Sequence, residues 1–408
     1  MYLTNDEERM FQGEYGPVKE WAMKFMVEYG DALGAERLIP IESAYIAWSF
    51  TLEDRLPRNV FRQMAKTEMA VPTYTNCLPD LENASEYGLT DQQVEKQRNL
   101  EEAARNIGVM LIGTCVPYEA GWIPVAKTHV ASGESSVINF VNSYFNARTL
   151  REGYPSKWAA ALTGKAPFAD LHTDEGRRGD LLVKLNLGSC ETSDYDALGY
   201  HVGDMPFDVP VFAGMPKRVK IGQLKQMGAA LATSGSVGMY HIVGITAESP
   251  TVKAAFQGDN PQETVEIGNE ELNEAYRRLS THGDERVNHV LLGCPHYTLE
   301  QLMSAAALLR GKRLHRETKL WILVPPSVRC IAERMGLAND VRTAGGSLLT
   351  GCWNKGSLTG GMDLRSGMTL VTDSAKCAHY SRSAYPGIDV WFGTRSRCIE
   401  AAITGKWT

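Results

Sequence analysis

Residues 287–306, VNHVLLGCPHYTLEQLMSAA, decide the fold class. The apolar run ending at Leu292 has the length of a short buried strand. Thr298 and Gln301 form a capping-box pair in front of Leu299, Leu302, Met303 and Ala306, which recur at helical spacing. Gly293, Cys294, Pro295 and His296 therefore occupy a turn between the C-terminal end of a strand and the start of a helix. Open α/β folds gather their ligands at such ends, which makes Cys294 a candidate functional thiol. A buried structural thiol is the competing reading.

The same theme recurs along the chain. GVMLIGTC (108–115) reads as a buried strand ending at Cys115, and KLWILVPPSVRCIAERMG (319–336) as strand, Pro-Pro turn and helix. MTLVTDSAKCAHYS (368–381) is a further strand with its polar residues at the end, and RLIPIES (37–43) a strand with Ser43 near its end. Helices are expected after the Thr4–Glu7 capping box, over the face Val18, Trp21, Ala22, Phe25, Met26 and Tyr29, at 90–106, and around SRCIEAAITG. Strand then helix, repeated, predicts an α/β architecture with mainly parallel sheets. From about 180 to 270 the chain is more irregular and Gly-rich, so an additional α/β lobe is placed there. The boundaries that follow are 1–180, 181–275 and 276–408, the first and last parts forming the catalytic lobe.

Bulk properties exclude several classes. The 408 residues carry a formal charge of −6 and no Lys/Arg block, which argues against a nucleic-acid partner. No apolar stretch approaches the roughly 20 residues of a membrane helix, and the acidic N-terminus is wrong for a secretory signal. Eight dispersed cysteines without C-x-x-C predict a reduced, cytoplasmic protein and no ordinary zinc ribbon. No G-x-G-x-x-G, Walker loop, G-x-S-x-G or H-E-x-x-H is present.

Three cysteines share one setting: Cys115 in IGTCVPY, Cys294 in LLGCPHY and Cys352 in LLTGCWN each follow Gly or Gly-Thr after an apolar run. Three thiolates brought together from distant segments can hold an iron–sulfur cluster with one iron left open, a Lewis acid for a hydroxylated carboxylate. Their spacing fits no local metal motif, and small buried hydrophobe remains the reading for the other five, with Cys77 beside TYTN set apart. GESSVINFVNSYFNARTLREG concentrates Glu134, Ser135, Ser136, Asn142, Arg148 and Arg151. These suit hydrogen bonding to substrate oxygens and bidentate binding of an anion. The same residues also fit a helix capped by Ser132 or Ser135 with solvated arginines beyond it. After the strand in TDSAKCAHY come Ser374, Lys376 and His379, where the lysine either binds an anionic group or is solvated. His172 and Asp174 in DLHTDEGRRGD are close enough in sequence to orient one another.

Taken in order, MYLTNDEERMFQGEYG, GAERLIPIESA, GTCVPY, GESSVINFVNS, ARTLREG, GCPHYTLEQL, DSAKCAHY and FGTRSRCIEAA resemble the large, catalytic part of the aconitase X family over nearly the whole chain. The resemblance implies a multi-lobed, aconitase-like α/β fold lacking the swivel domain. It also implies an iron–sulfur cluster on Cys115, Cys294 and Cys352, of 4Fe–4S, 3Fe–4S or 2Fe–2S type, and hydro-lyase chemistry on a small hydroxy acid. Family activities are dehydration of cis-3-hydroxy-L-proline and of mevalonate 5-phosphate. A separate small swivel-domain subunit is the implied partner, supplying a catalytic serine. Carried onto this chain, the catalytic positions are Glu134, Ser135, Ser136 and Lys376. The substrate-binding positions are Ser43, Thr75, Asn142, Arg148, Arg151 and Ser374.

The chain departs from the family pattern at Tyr45, where a histidine is usual, and at Leu78 and Leu150, where asparagines are usual. Polar substrate-facing positions are thus expected to have turned apolar or aromatic. Two other functions stay open on the sequence: a cofactor-free enzyme with Cys294 as nucleophile activated by His296, and a non-catalytic subunit that keeps the fold.

Overall fold

The computed structural model describes residues 1–49, 63, 66–188, 190–281, 283, 285–354 and 361–408. Residues 287–306 form a strand, His289–Leu292, and a helix, Leu299–Leu309. At the helix start Thr298 Oγ1 accepts from the Gln301 amide, and Gln301 Oε1 accepts from the Thr298 amide. The capping box read from the sequence is therefore made in both directions.

That strand is the centre of a five-stranded, wholly parallel sheet ordered Ser347–Leu349, Lys319–Leu323, His289–Leu292, Thr369–Thr372, Asp389–Phe392. Val290, Leu291, Leu292, Leu370 and Val371 are fully buried, as expected of a sheet covered by helices on both faces. The first strand lies in the middle, and later strands are added first to one side and then to the other. Such a reversal opens a crevice at the C-terminal ends of the two strands that flank it, His289–Leu292 and Thr369–Thr372. Cys294 and Lys376 leave the sheet there.

The Gly-rich middle region is more ordered than its composition suggests. It forms a four-stranded parallel sheet ordered His241–Ile242, Pro210–Ala213, Leu181–Leu185, Glu263–Ile267. Its glycines are packing contacts between the helices Thr192–Gly203 and Ile221–Gly235: a Cβ on Gly199 would stand 2.3 Å from the Met227 carbonyl oxygen.

The N-terminal third holds a three-stranded parallel sheet ordered Thr73–Thr75, Ser43–Ile46, Val130–Ser132. Two expectations are corrected here. RLIPIES is split: Leu38–Pro40 pairs antiparallel with Lys165–Pro167, and Ser43 opens the next strand instead of closing the first. Pro40 lacks the amide needed to continue the ladder. GVMLIGTC is not a strand. Only Met110 bridges to Tyr74, and the chain turns at Gly113, whose φ is +60°. Among the described residues, no helix is long and apolar enough to cross a membrane.

One buried carboxyl should show in stability. Glu152 is 4% exposed, and burial, only partly opposed by Ser156 and Lys157, pushes its pKa from 4.5 up to about 7. The folded chain therefore holds a proton there that the unfolded chain has released. Stability is complete below about pH 4.5 and falls as pH rises through about 7, by about 3 kcal/mol from this group alone. Glu152→Gln should remove that decline and melt higher than the parent at pH 8. Denaturant titrations of both proteins at pH 5 and pH 8 measure it; parallel pH profiles would show that the carboxyl is not held neutral.

Candidate active site

Five strand ends converge on one cavity of about 350 Å³. After Thr73–Thr75 come Asn76 and Cys77; after Val130–Ser132 come Gly133, Glu134 and Ser135. After His289–Leu292 come Gly293, Cys294, Pro295 and His296; Cys352 follows Ser347–Leu349, and Lys376 follows Thr369–Thr372. Cys115, Tyr154, Trp353, Asn354 and Tyr380 complete the wall. The three-stranded and five-stranded sheets thus deliver their C-terminal edges, with their loops, to the same space.

Cys294 sits on a turn that its neighbours fix in place. Gly293 has φ +93°, and a Cβ there would stand 2.3 Å from the Leu323 carbonyl oxygen, so only glycine lets the chain leave this central strand. The Ser374 hydroxyl donates to the Cys294 carbonyl while its oxygen caps the helix Ala375–Ala384 by accepting from the Cys377 amide. From the middle region, the buried Lys225 ammonium donates to the His296 carbonyl at 2.5 Å and to Gln301 Oε1 at 2.6 Å. Desolvation lowers the Lys225 pKa to about 8. The turn is clamped from both sides.

No disulfide joins any of the eight cysteines. Cys115 receives the His296 amide on Sγ at 3.3 Å. Burial would raise its pKa, but the Cys77 thiol and His296 outweigh that and bring it down to about 6. Burial pushes Cys294 up to about 12, and Cys77 is raised chiefly by its hydrogen bond to Cys115 and by burial. His296 Nδ1 meets Thr114 Oγ1 at 3.0 Å, and Nε2 meets the Gly351 carbonyl at 3.1 Å and Cys77 Sγ at 3.8 Å. Both ring nitrogens are therefore engaged with groups other than Cys294, so His296 is not placed as the base that a Cys294 nucleophile needs.

An ion pair lines the same cavity as the thiols. The Lys376 ammonium donates to Glu134 Oε1 and, at 2.9 Å, to Ser135 Oγ, and Asn76 Nδ2 donates to Glu134 Oε2 at 3.2 Å. Burial works to raise the Glu134 pKa, but Lys376 and then Asn76 more than offset it, so the carboxyl stays ionised. Desolvation works against Lys376, and Glu134 overcomes it to raise its pKa. Glu134 itself, neither Ser132 nor Ser135, occupies the N-cap of the helix Ser135–Ser143, with its carboxylate turned to Lys376 instead of capping.

Of the residues picked out in the sequence, Cys115, Cys294, Cys352, Glu134, Ser135 and Lys376 line this cavity together. Ser136 lies beneath it, buried, with Oγ 3.5 Å from both Glu134 Oε1 and the Cys115 carbonyl. Thr75 Oγ1 accepts from the Gly113 amide at 3.2 Å and so steadies the Cys115 loop. Ser43 Oγ accepts from Trp122 Nε1 at 2.9 Å. Asn142 is fully buried, donating to the Thr149 and Gly238 carbonyls and accepting from Arg177. Arg148 is taken up by Asp174 and the His172 carbonyl, and Arg151 by Asp170, Asp208 and the Ser236 carbonyl. None of these last four residues lines the cavity. His172 and Asp174 do not orient one another: Arg148 holds both, and His172 Nδ1 faces His129 Nδ1 at 2.9 Å.

The three departures do not alter the cavity wall either. Tyr45 is fully buried against Trp122, and its hydroxyl donates to the Thr114 carbonyl and to Asn76 Oδ1 at 2.9 Å. Leu150 is 1% exposed, and Leu78 lies in a different cleft with Asp80 and Arg329. An asparagine does line the cavity nearby, Asn76. Besides Asn76, sequence reasoning passed over Tyr154, Trp353, Asn354 and Tyr380, which carry no spacing signal. Cys77, set apart in the sequence, and His296, read there as a candidate activator of Cys294, both line the cavity.

The donor set fits an iron–sulfur cluster: thiols from separate segments lining one cavity, unbridged by disulfides, with a peptide N–H aimed at one sulfur. Models of the aconitase X first, second and third domains match residues 1–175, 179–277 and 287–404. The phosphomevalonate dehydratase large subunit of Methanocaldococcus jannaschii is 35% identical over 363 residues, covering 86% of this chain and 88% of that protein. The cis-3-hydroxy-L-proline dehydratase of Pseudomonas aeruginosa is 33% identical over 406 residues, covering 98% of this chain and 70% of that protein. The crystal structure of Thermococcus kodakaraensis aconitase X in its holo-form superposes with a TM-score of 0.85 at 32% identity, covering 98% of this chain and all of that one. Fold, cavity and relatives agree, and the chain belongs to the aconitase X family.

Proposed function

We propose that the chain is the large subunit of a dehydratase, a hydro-lyase that removes water from a small hydroxylated carboxylic acid. The observation that carries this reading is the cavity that Cys115, Cys294 and Cys352 line together with the Glu134–Lys376 pair. In it, those three cysteines hold an iron–sulfur cluster, which when bound supplies a Lewis-acidic iron for the leaving hydroxyl. Lys376 offers the ammonium that binds a substrate carboxylate. Glu134, kept ionised by that same lysine, is the group on this chain able to accept a proton. Ser135 and Ser136 orient the carboxylate, and Ser374 fixes the Cys294 turn. The remaining family positions, Ser43, Thr75, Asn142, Arg148 and Arg151, hold the surrounding scaffold in this reading.

The partner is a small swivel-domain subunit, in keeping with relatives that are named large subunits. The relatives' substrates, mevalonate 5-phosphate and cis-3-hydroxy-L-proline, are the first compounds to try. Among the described residues lining the cavity, the cationic group is Lys376, already paired with Glu134. A phosphate would therefore have to find its cations outside that wall.

The test begins with iron and acid-labile sulfide per chain, and a visible spectrum, on protein purified without oxygen. Both elements with charge-transfer bands are expected, and Cys294→Ser should lose elements and bands together. Absence of both after anaerobic reconstitution would overturn the proposal. The chain alone should show little turnover, with dehydration appearing on addition of the small subunit; full activity from the isolated chain would remove the partner from the scheme.

A further inference from the structure

A buried cation from the middle region stands behind the Cys294 turn with no carboxylate of its own. Lys225, on the helix Ile221–Gly235, is fully buried. Its ammonium donates to the His296 carbonyl at 2.5 Å, to Gln301 Oε1 at 2.6 Å and to the Pro295 carbonyl at 3.4 Å. All of these acceptors are neutral. Among the described residues no carboxylate forms an ion pair with it, whereas Lys376 has Glu134 and the neighbouring Arg395 has Asp373. A charge taken out of water without a counter-charge is costly, so a lysine held this way calls for a negative group close by.

The geometry leads from Lys225 to Cys115 through a single peptide group. The unit joining Pro295 to His296 turns its carbonyl to the ammonium, at 3.4 Å, and its N–H to Cys115 Sγ, at 3.3 Å. A cation on the carbonyl end polarises that unit and strengthens its N–H as a donor, because hydrogen bonds in a chain reinforce one another. The charges around Lys225 agree. Burial lowers its pKa, and Cys115 leads the groups that oppose this, ahead of Glu119 and Asp373. Asp373 is already engaged by the Tyr297 hydroxyl and Arg395.

We propose that Lys225 is the buried counter-charge of the cluster, a positioning residue that acts on the Cys115 sulfur through the Pro295–His296 peptide and raises the cluster's reduction potential. This rests on the iron–sulfur reading above and keeps Cys115, Cys294 and Cys352 as the ligands, with one iron open. Reduction adds an electron to a group that already carries its thiolates' negative charge. A fixed cation beside it favours the reduced form, and in a buried site water screens that effect little. The middle region thereby sets a chemical property of a cavity that the other two sheets build.

The experiment compares the parent with Lys225→Gln, Lys225→Arg and Gln301→Glu, all purified anaerobically, by iron and sulfide per chain and by potentiometric titration of the visible bands. Glutamine keeps a donor for the turn and removes the charge. At a fixed potential its ratio of reduced to oxidised cluster should fall at least about tenfold, a downward shift of about 59 mV for one electron. Lys225→Arg keeps the charge and should stay near the parent. Gln301→Glu leaves the lysine in place. Gln301 Nε2 has no partner among the described residues, so a carboxylate there loses no hydrogen bond and sets a negative charge against the ammonium. It too should lower the potential. Parental potentials in both Lys225→Gln and Gln301→Glu, with iron and sulfide retained, would overturn the proposal. So would an equal fall in Lys225→Arg, which would reduce Lys225 to a packing role. A parent without iron and sulfide after anaerobic reconstitution would instead bring down the underlying reading.

Discussion

Lys376→Met is expected to lower dehydration by two to four orders of magnitude while leaving the iron content of the chain unchanged. Both partners of the Lys376–Glu134 pair are largely buried, with side chains 16% and 17% exposed. Removing one partner of such a pair costs about 3–5 kcal/mol, because the survivor is left charged and uncompensated. Here Glu134 would respond by taking up a proton. Its pKa is low only because Lys376 and Asn76 outweigh burial, so without the lysine desolvation drives it upward. The variant would lose the ammonium and the carboxylate's charge together, and with them its anion-binding and proton-accepting groups. Loss of a general acid or base alone is worth about 10²–10⁴ in rate. Glu134→Gln should produce a similar loss, and the double variant little more than either, since the two residues act as a unit. Turnover by the partner-reconstituted complex measures the first effect and iron per chain the second. Parental turnover in Lys376→Met would show that the pair is scaffolding.

Which parts of this were legible beforehand follows from how local each signal is. A strand–turn–helix with its capping box is written in some twenty consecutive residues, and 287–306 folds as read. That Cys294 and Cys352 share one space follows from parallel strands bringing their C-terminal ends to one edge, whereas Cys115 arrives on a loop that the sequence offers as a strand. The failures are of another kind. GESSVINFVNSYFNARTLREG is dense in polar side chains, but density does not reveal whether their partners are inside the protein. Asn142, Arg148 and Arg151 are satisfied by carbonyls and carboxylates brought in from residues 170–238. Conversely, Asn76 enters the cavity from a stretch with no pattern, one residue after a three-residue strand. The apolar and aromatic residues at Tyr45, Leu78 and Leu150 do not line the cavity, and an amide reaches it from Asn76.

The residue that closes the scaffold around that misread stretch is Arg177, and Arg177→Met should be among the most destabilising single changes in the chain. The side chain is 1% exposed, and its guanidinium serves six acceptor groups. Nη1 donates to Asn142 Oδ1 at 3.1 Å and to the Ala147 and Leu171 carbonyls, and Nη2 donates to the Asn142 carbonyl at 2.8 Å and to Asn146 Oδ1. Nε meets the Glu248 carboxylate at 3.0 Å, tying the end of the helix Ser135–Ser143 to the middle region. Methionine fills comparable volume but donates to none of these acceptors; Asn142 Oδ1 keeps the Thr149 amide and Glu248 is partly exposed, while each acceptor left unpaired where water cannot reach it costs about 1–3 kcal/mol. A net loss of about 3–5 kcal/mol is the expectation for breaking such a network. Arg177→Lys should recover only part of it, because an ammonium cannot reproduce the planar fork. Asn142→Ala should fall in the same direction by a smaller amount. Denaturant unfolding gives the stabilities, and KM of the reconstituted complex separates the two accounts of residues 142–151. Lower stability with an unchanged KM in Asn142→Ala assigns the stretch to the scaffold. A raised KM at parental stability would return it to the substrate.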